Sequence, residues 1–287
     1  MNIGDIVARK SYNFDTWFVI NHIENNKAIL SGIYYRLIAD ANLNDLEIVN
    51  TRNLEFNDLI DINARGDKVN FFKSWYEKQY SLDSYSKENN IKQNIEQEGN
   101  KNTNKIIGKI LHIDGDKSYL KESLKQYQKL GVPVEGLTIK EYEQPEKLKE
   151  LLKLYRPDIL VITGHDSLRK SGDYSMDIED YTNSKYYVEC VKIAREYNPS
   201  YDDLVIFAGG CKSHYEAIMN AGANFASSPN RILLHVTDPV IVASNIAKAS
   251  IREVLYIDEI INGTFSGIGG IGGVETRGKC REVKPVF

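Results

Sequence analysis

Hydrophobic and polar positions follow three successive regimes along the chain. Up to about residue 65, short β-type runs (Asp5-Ile-Val-Ala-Arg9, Trp17-Phe-Val-Ile-Asn-His-Ile23, Lys27-Ala-Ile-Leu-Ser-Gly-Ile33, Tyr35-Arg-Leu-Ile-Ala39) are separated by the turn signals Asn13-Phe-Asp15 and Glu24-Asn-Asn26. Runs of this length broken by Asn and Asp predict tight antiparallel hairpins, and so a small accessory or docking β-barrel over residues 1–64. Over 65–104 the pattern dissolves into Ser, Lys, Glu, Asn and Gln, apart from Phe71, Phe72, Trp75 and Tyr76. Such a stretch has little to bury and reads as a polar linker carrying a short aromatic segment, either a short helix lying on one of the domains or a partner-binding segment.

From 105 to 287 the period changes again. Ile106-Ile-Gly-Lys-Ile-Leu-His-Ile113 reads as a strand, and Asp116 as the N-cap of a helix whose Leu120, Leu124, Tyr127 and Leu130 recur at helical spacing. Leu148, Leu151, Leu152 and Tyr155 define a second helix that stops before Pro157, and a third runs from about Asn183 to Tyr197. The runs Asp158–Thr163, Leu204–Ala208 and Arg231–Val236 supply further strands. Repeated strand-helix-strand units predict right-handed crossovers and an α/β domain, a mostly parallel sheet with helices on both faces.

Composition narrows the class without naming a function. With 287 residues, 42% hydrophobic, 26% charged and a formal net charge of -4, the chain reads as globular and not as a general nucleic-acid binder. No run approaches the ~18 apolar residues of a membrane span, and Met1-Asn2-Ile3-Gly4-Asp5 lacks the features of a signal peptide, which predicts residence in a cytoplasm and no membrane partner. Cys190, Cys211 and Cys280 are an odd set without Cys-x-x-Cys spacing. Neither a disulfide framework nor a metal site is expected, and no cofactor is called for.

Two of the buried-strand runs end in reactive side chains: Asp158-Ile-Leu-Val-Ile-Thr-Gly-His165 and Leu204-Val-Ile-Phe-Ala-Gly-Gly-Cys211. Ligands of parallel sheets bind at the carboxyl ends of strands, so His165 and Cys211 are expected at one edge as base and nucleophile of a cysteine peptidase. A helix read from Lys212 to Met219 would lend its N-terminal partial charge to the sulfur, and His165 would favour the thiolate further. Gly164, Gly209 and Gly210 let backbone approach a substrate carbonyl, with N–H groups near Cys211 and Gly164-His165 as oxyanion donors. Asp166 is a candidate for orienting the imidazole.

The order His then Cys, each after an apolar strand, resembles the caspase-like (clan CD) cysteine proteases. Asp166 stands where those families have Gly, and Gly209-Gly210 where caspases have Gln-Ala. A closer resemblance is carried by Gly4-Asp5-Ile-Val-Ala-Arg9-Lys-Ser-Tyr12, Leu111-His-Ile-Asp114-Gly-Asp116, Arg156-Pro-Asp-Ile-Leu-Val-Ile-Thr-Gly-His165-Asp166, Phe225-Ala-Ser-Ser-Pro229 and Gly269-Gly-Ile-Gly-Gly-Val-Glu-Thr-Arg277-Gly. On these strings the chain resembles the YabG family of sporulation-specific proteases over nearly its whole length. The resemblance implies a protease made in the mother cell of endospore formers and later found at the spore coat. It also implies coat and cortex-associated protein substrates, cleavage after Arg, and a catalytic pair falling on His165 and Cys211. A guanidinium needs fixed carboxylates, and Asp114, Asp116 and Asp238 in the neighbouring loops are the candidates.

Competing readings attach to the remaining residues. His214 is a rival base three positions after Cys211, predicted to lie along a helix flank. Cys190 reads as a core residue, Cys280 as incidental near a flexible end, His112 and His235 as the floor of the site, and His22 as unassigned. The run Gly267-Ile-Gly-Gly-Ile-Gly-Gly273 reads as tight backbone bordering the site, with Arg277-Gly278 as a candidate self-processing point. An amidase or amidotransferase would place His after Cys. A receiver-like module would use Asp114 and Asp116 for Mg²⁺.

Overall fold

A computed structural model describes residues 1–14, 16–33, 35, 37–49, 104–169, 174–261 and 263–283. The predicted linker and the Phe71–Tyr76 aromatic cluster lie outside the described residues. The chain divides into two compact units: residues 1–33, 38–104 and 284–287 in one, and 34–37 with 105–283 in the other.

The first unit is a barrel-like antiparallel sheet of β1 (Ile6–Arg9), β2 (Trp17–Glu24), β3 (Lys27–Gly32), β4 (Ile38–Asn42) and β5 (Leu46–Ile48), in the order β4-β3-β2-β1-β5. Asn25 and Asn26 both take positive φ (46° and 65°) between the paired Glu24 and Lys27, the two-residue turn whose twist matches that of the strands. Alternation puts Val7, Phe18, Ile20, Leu30 and Leu46 on one face, and all five are buried. Each such side chain contributes ~1.5–3 kcal/mol by leaving water.

The described chain resumes with β6 (Asn104–Ile106) and builds the second unit from β7 (Ile110–Asp114), α1 (Lys117–Lys129), β8 (Val134–Thr138), α2 (Gln144–Tyr155), β9 (Ile159–Thr163), α3 (Ser184–Tyr197), β10 (Val205–Ala208), α4 (Tyr215–Asn220) and β11 (Phe225–Ser227). It closes with α5 (Asp238–Lys248), β12 (Val254–Leu255), α6 (Ile257–Ile261), α7 (Gly267–Gly270), β13 (Ile271–Gly273), β14 (Thr276–Arg277) and β15 (Arg281–Val283). The principal sheet has the order β13-β11-β10-β9-β7-β8, parallel except for the edge strand β13.

Strand periodicity sends successive residues to opposite faces, and two cores result. Ile110, Val161, Val205 and Phe207 pack with Tyr127 of α1 and Val240 and Ala243 of α5. Leu111, Leu160, Ile162 and Ile206 pack with Leu148 and Leu152 of α2, Tyr187 and Val191 of α3 and Ile218 of α4. Helices therefore cover both faces, which is why β7, β9, β10 and β11 are buried at every position instead of at alternate ones. Because β8 and β9 flank β7, the winding direction reverses between β7 and β9. A crevice opens at the carboxyl ends of strands at such a switch point.

Two predicted elements are corrected here. Arg231–Val236 is not a strand of the sheet; its one β contact is a bridge between His235 and Tyr35. Ser228 and Arg231 take positive φ (62° and 54°), which bends the chain away from sheet geometry just before this segment. The helix expected from Lys212 begins only at Tyr215, because Lys212 is itself left-handed (φ 56°) and His214 caps the first turn.

Candidate active site

Parallel register brings the two reactive residues to matching places. The β10–β9 pairs run from Val205↔Ile159 to Ala208↔Ile162, each separated by 46 positions. Cys211 and His165 have the same separation, and each lies three residues beyond the last registered pair, Ala208↔Ile162. Cys211 belongs to the core that holds Val161, Phe207 and Tyr127 of α1, and the His165 ring meets Tyr119 of the same helix, so both lie on the side of the sheet that α1 covers.

His165 is held on every side of its backbone. Its N–H donates to Glu141 Oε1 at 2.8 Å, and its carbonyl accepts from Asn183 Nδ2 at 2.8 Å and Tyr187 Oη at 3.1 Å. Glu141, buried at the end of the loop after β8, comes so close that a Cβ on Gly164 would meet its Oε1 at 2.3 Å and one on Gly115 at 2.1 Å. The glycine at 164 is thus required by Glu141. On the side chain, Nε2 lies 3.2 Å from Asp116 Oδ2, and the Tyr119 ring stands 5.3 Å away at 59°. The imidazole and Asp116 remain partly open to solvent, with 18% and 23% of their side chains exposed.

Cys211 follows a tight turn that only glycine tolerates. Gly209 has φ 116°, and a Cβ on Gly210 would stand 2.3 Å from the Gly164 carbonyl oxygen. The His and Cys loops therefore touch backbone to backbone. Sγ is buried: the Leu234 N–H donates to it at 3.2 Å, and the Leu234 carbonyl lies at 3.8 Å. The expected dipole contribution from a following helix is removed, since the α4 N-terminus lies beyond His214.

Several expectations for the N–H groups and acids are redirected by the bonds they make. The Gly209 N–H donates to Ile162 O, that of Gly210 to Ser213 Oγ and that of His165 to Glu141, so these three are committed inside the fold. Asp166 does not orient the imidazole. Its buried carboxylate accepts from the Ser167 and Asn183 N–H groups (2.9 and 2.8 Å), from Ser213 Oγ at 2.9 Å and from Ser184 Oγ. Ser213 in turn accepts from Gly210 N–H, and Ser184 from His214 N–H. Asp166 is the hub that ties the His loop, the start of α3 and the Cys loop together. Burial raises its pKa, and the four hydrogen bonds only partly counter that.

The three acids read as an Arg pocket are likewise engaged. Asp114 is fully buried and accepts from Thr163 Oγ1 at 2.8 Å and Asp116 N–H at 2.9 Å. Asp238, also fully buried, accepts from the N–H groups of Phe265 and Ser266 at 2.7 and 3.0 Å. Asp116 faces His165. A guanidinium cannot reach the first two without opening the core, and the third already faces the His165 imidazole.

Burial raises Asp238 to about 6, with its hydrogen bonds from Ser266, Phe265 and His235 offsetting only part of the penalty. The native state thus holds this proton above the pH at which an unfolded Asp, near ~4, releases it. Its contribution is fully present below pH ~4 and is lost as pH rises to about 6, a span worth about 3 kcal/mol. Thermal midpoints measured at pH 4, 5, 6 and 7 should show wild type losing ground to Asp238→Asn across that window; a constant difference would contradict the assignment.

The remaining histidines and cysteines settle into supporting places. His214, the rival base, is a helix cap: Nδ1 accepts from Ala217 N–H and Nε2 lies 3.0 Å from Met176 O. His112 is buried against Thr163 Oγ1 at 2.8 Å, and His235 stacks on Phe265 at 4.2 Å. Cys190 is buried on α3, with burial pushing its thiol well up; Cys280, expected near a flexible end, is buried too. The glycine-rich run forms α7 and the sheet edge β13, and it meets the Cys loop region through Gly270 O, which accepts from Ser228 N–H. Arg277 pairs with Val254 in a ribbon, and a Cβ on Gly278 would strike Ala249 O at 2.3 Å, a packed setting for a scissile bond. Among the described residues, no helix is long and apolar enough to cross a membrane.

Glu141, Tyr119, Ser184 and Ser213 were not foreseen as site residues. Nothing in their sequence spacing marks the first three; the four converge from four different crossovers. A sequence signal did exist for Ser213, two residues past the cysteine at a turn where hydroxyls commonly bond backbone.

Residues 2–285 match the family described as YabG peptidase U57. The chain belongs to that family. It is 39% identical over 290 residues to the sporulation-specific protease YabG of Bacillus subtilis (strain 168), covering 97% of this chain and 96% of that protein. As a YabG-family member it is a peptidase, and the edge that carries His165 and Cys211 is the candidate place for peptide-bond hydrolysis.

Proposed function

We propose that this YabG-family peptidase is a sporulation-specific cysteine endopeptidase of caspase-like architecture, with Cys211 as nucleophile and His165 as general base. The observation that supports the reading is the 46-residue register of β9 and β10, past whose ends His165 and Cys211 follow with the same separation. In the reaction His165 takes the Cys211 proton, and the sulfur attacks the peptide carbonyl. The oxyanion forms at the turn that carries Cys211, and His165 passes the proton to the leaving amine. Water, deprotonated by His165, then cleaves the thioester and restores the thiol. The substrate backbone replaces Leu234 as the neighbour of the sulfur.

Following the family resemblance, the substrates are spore coat and cortex-associated proteins cut on the carboxyl side of Arg. The protein is made in the mother cell and ends at the coat. The relative's name, a sporulation-specific protease, supports this setting. The purified protein, incubated with a peptide carrying one Arg, one Lys and one Leu, should yield a single cut after Arg. Prior iodoacetamide treatment should abolish it, and EDTA should leave it intact. Cleavage that survives alkylation, or that EDTA removes, would refute the cysteine mechanism.

A further inference from the structure

We infer that Asp116 is a positioning residue for His165, fixing the tautomer through which the imidazole exchanges protons with Cys211; this rests on the Cys211–His165 reading above. The two oxygens of Asp116 have separate partners. Oδ1 caps α1, accepting from Ser118 N–H at 2.7 Å, from Ser118 Oγ at 2.5 Å and from Tyr119 N–H at 3.4 Å. Oδ2 faces His165 Nε2 at 3.2 Å. An ionised carboxylate only accepts, so Nε2 must carry the hydrogen. In the neutral imidazole that leaves Nδ1 as the nitrogen with a lone pair to take the thiol proton. When His165 becomes an imidazolium, the same carboxylate stabilises it.

The carboxylate is kept ionised and in place for this task. Burial alone would raise its pKa, but the hydrogen bonds from His165 and Ser118 outweigh burial and hold it well below the usual carboxylate range. The turn that presents it is anchored to both strands of the switch point. The Asp116 N–H donates to Asp114 Oδ1 at 2.9 Å, Asp114 accepts from Thr163 Oγ1 of β9, and the Gly115 N–H donates to Thr163 O at 3.0 Å. Lys140 Nζ donates to Gly115 O at 3.1 Å from the far side. Across the imidazole the Tyr119 ring limits rotation, and its hydroxyl is fixed by Tyr35 O at 2.9 Å. Held by Asp116 at Nε2, by Tyr119 at its face and by three backbone bonds, His165 has little freedom to turn the wrong nitrogen outward.

Capping and positioning are separable by substitution. Asn and Ser cap helices about as well as Asp, so Asp116→Asn and Asp116→Ser should retain the helix terminus. Asn, however, can turn an N–H toward Nε2, which places the imidazole hydrogen on Nδ1, where it blocks proton acceptance. Ser keeps the cap but does not reach Nε2. Asp116→Asn is expected to lower kcat by about 10²–10⁴-fold with little change in KM, and Asp116→Ser by less. The pH midpoint of iodoacetamide inactivation should move upward in both, and the thermal midpoint should stay near wild type.

His165→Ala serves as the control arm, read by peptide cleavage and by the rate of Cys211 alkylation. If His165→Ala is inactive while Asp116→Asn keeps wild-type kcat and an unshifted alkylation profile, Asp116 is only a cap and the inference falls alone. If His165→Ala cleaves as wild type does, the base assignment falls and this inference with it. A kcat loss in Asp116→Asn with an unmoved alkylation midpoint and a depressed thermal midpoint would assign the defect to stability and overturn the positioning role.

Discussion

Cys211→Ala should reduce peptide cleavage by about 10⁴-fold or more, to the level of contaminating activity, while the protein still folds. On the proposed mechanism the magnitude follows from loss of the attacking atom: without sulfur no acyl-enzyme would form, and the remaining groups would recover only a small part of the barrier, at ~1.4 kcal/mol per tenfold. The structural cost is small by comparison. The sulfur is a buried acceptor for the Leu234 N–H and a member of the core shared by β9, β10 and α5, so truncation leaves one buried N–H without this acceptor and a void of one atom. A loss of ~1–2 kcal/mol is expected, visible as a modest drop in thermal midpoint. Mass spectrometry of products from an Arg-containing peptide, alongside circular dichroism, separates the two effects. A folded Cys211→Ala protein that still cuts would remove the cysteine from the mechanism.

The largest expected loss of stability comes from Asp166→Ala. That carboxylate is buried and receives two backbone N–H groups and two hydroxyls from the His loop, the start of α3 and the Cys loop. Removing it strands several donors where water does not reach, at ~1–3 kcal/mol for each that cannot rotate to a new partner. The raised pKa says that burying the charge is itself costly, which reduces the net loss without cancelling it. About 3 kcal/mol is expected, or a thermal midpoint lower by about 6–12 °C for a domain of this size. Cleavage should fall as well, because Ser213 and with it the Gly210 N–H lose their anchor. Asp166→Asn, which keeps one acceptor, should recover part of both. An alanine variant as stable as wild type would show that the two loops are tied by other means.

How far the site was legible in the sequence depends on what each residue does. His165 and Cys211 stand out as a candidate pair because an apolar strand that runs into a reactive residue is a local pattern, and the equal spacing of the two strands is countable. The capping role of Asp116 was visible for the same reason, and the structure bears it out with bonds to Ser118 and Tyr119. Its second oxygen was not. Which acid meets the imidazole depends on β7 and β9 being neighbours, with β8 displaced to the outside, an order that no window of sequence contains. Asp166 adjoins His165 in the chain and so looked like its partner. Strand pleating instead turns consecutive residues to opposite faces, and Asp166 went to the side of α3 while His165 went to the side of α1.

The same reasoning covers the other differences. Asp114, Asp116 and Asp238 stand in the loops where an Arg pocket was sought, but burial, a property of the packed molecule, withdraws the first and third. The start of α4 and the fate of Arg231–Val236 turned on left-handed residues, Lys212, Ser228 and Arg231. None is Gly or Asn, so composition gave no warning. Lys212 follows Cys211 directly, and its N–H donates to Ser228 Oγ, so two of the three adjoin the turn that carries Cys211.

By itself the sequence determined the alternation of strands and helices, the hairpin turns of the first unit, the His-before-Cys order and the family to which the chain belongs. Each of these is written in spacing, in turn residues or in long matching strings. Tertiary structure alone decided the partners: Asp116 and not Asp166 for the imidazole, Glu141 and Tyr187 for the His165 backbone, Leu234 for the sulfur. Partners are set by strand order and by which face a residue takes. Those follow from burying two apolar faces of one sheet at once, a condition that the whole chain satisfies together and no segment satisfies alone.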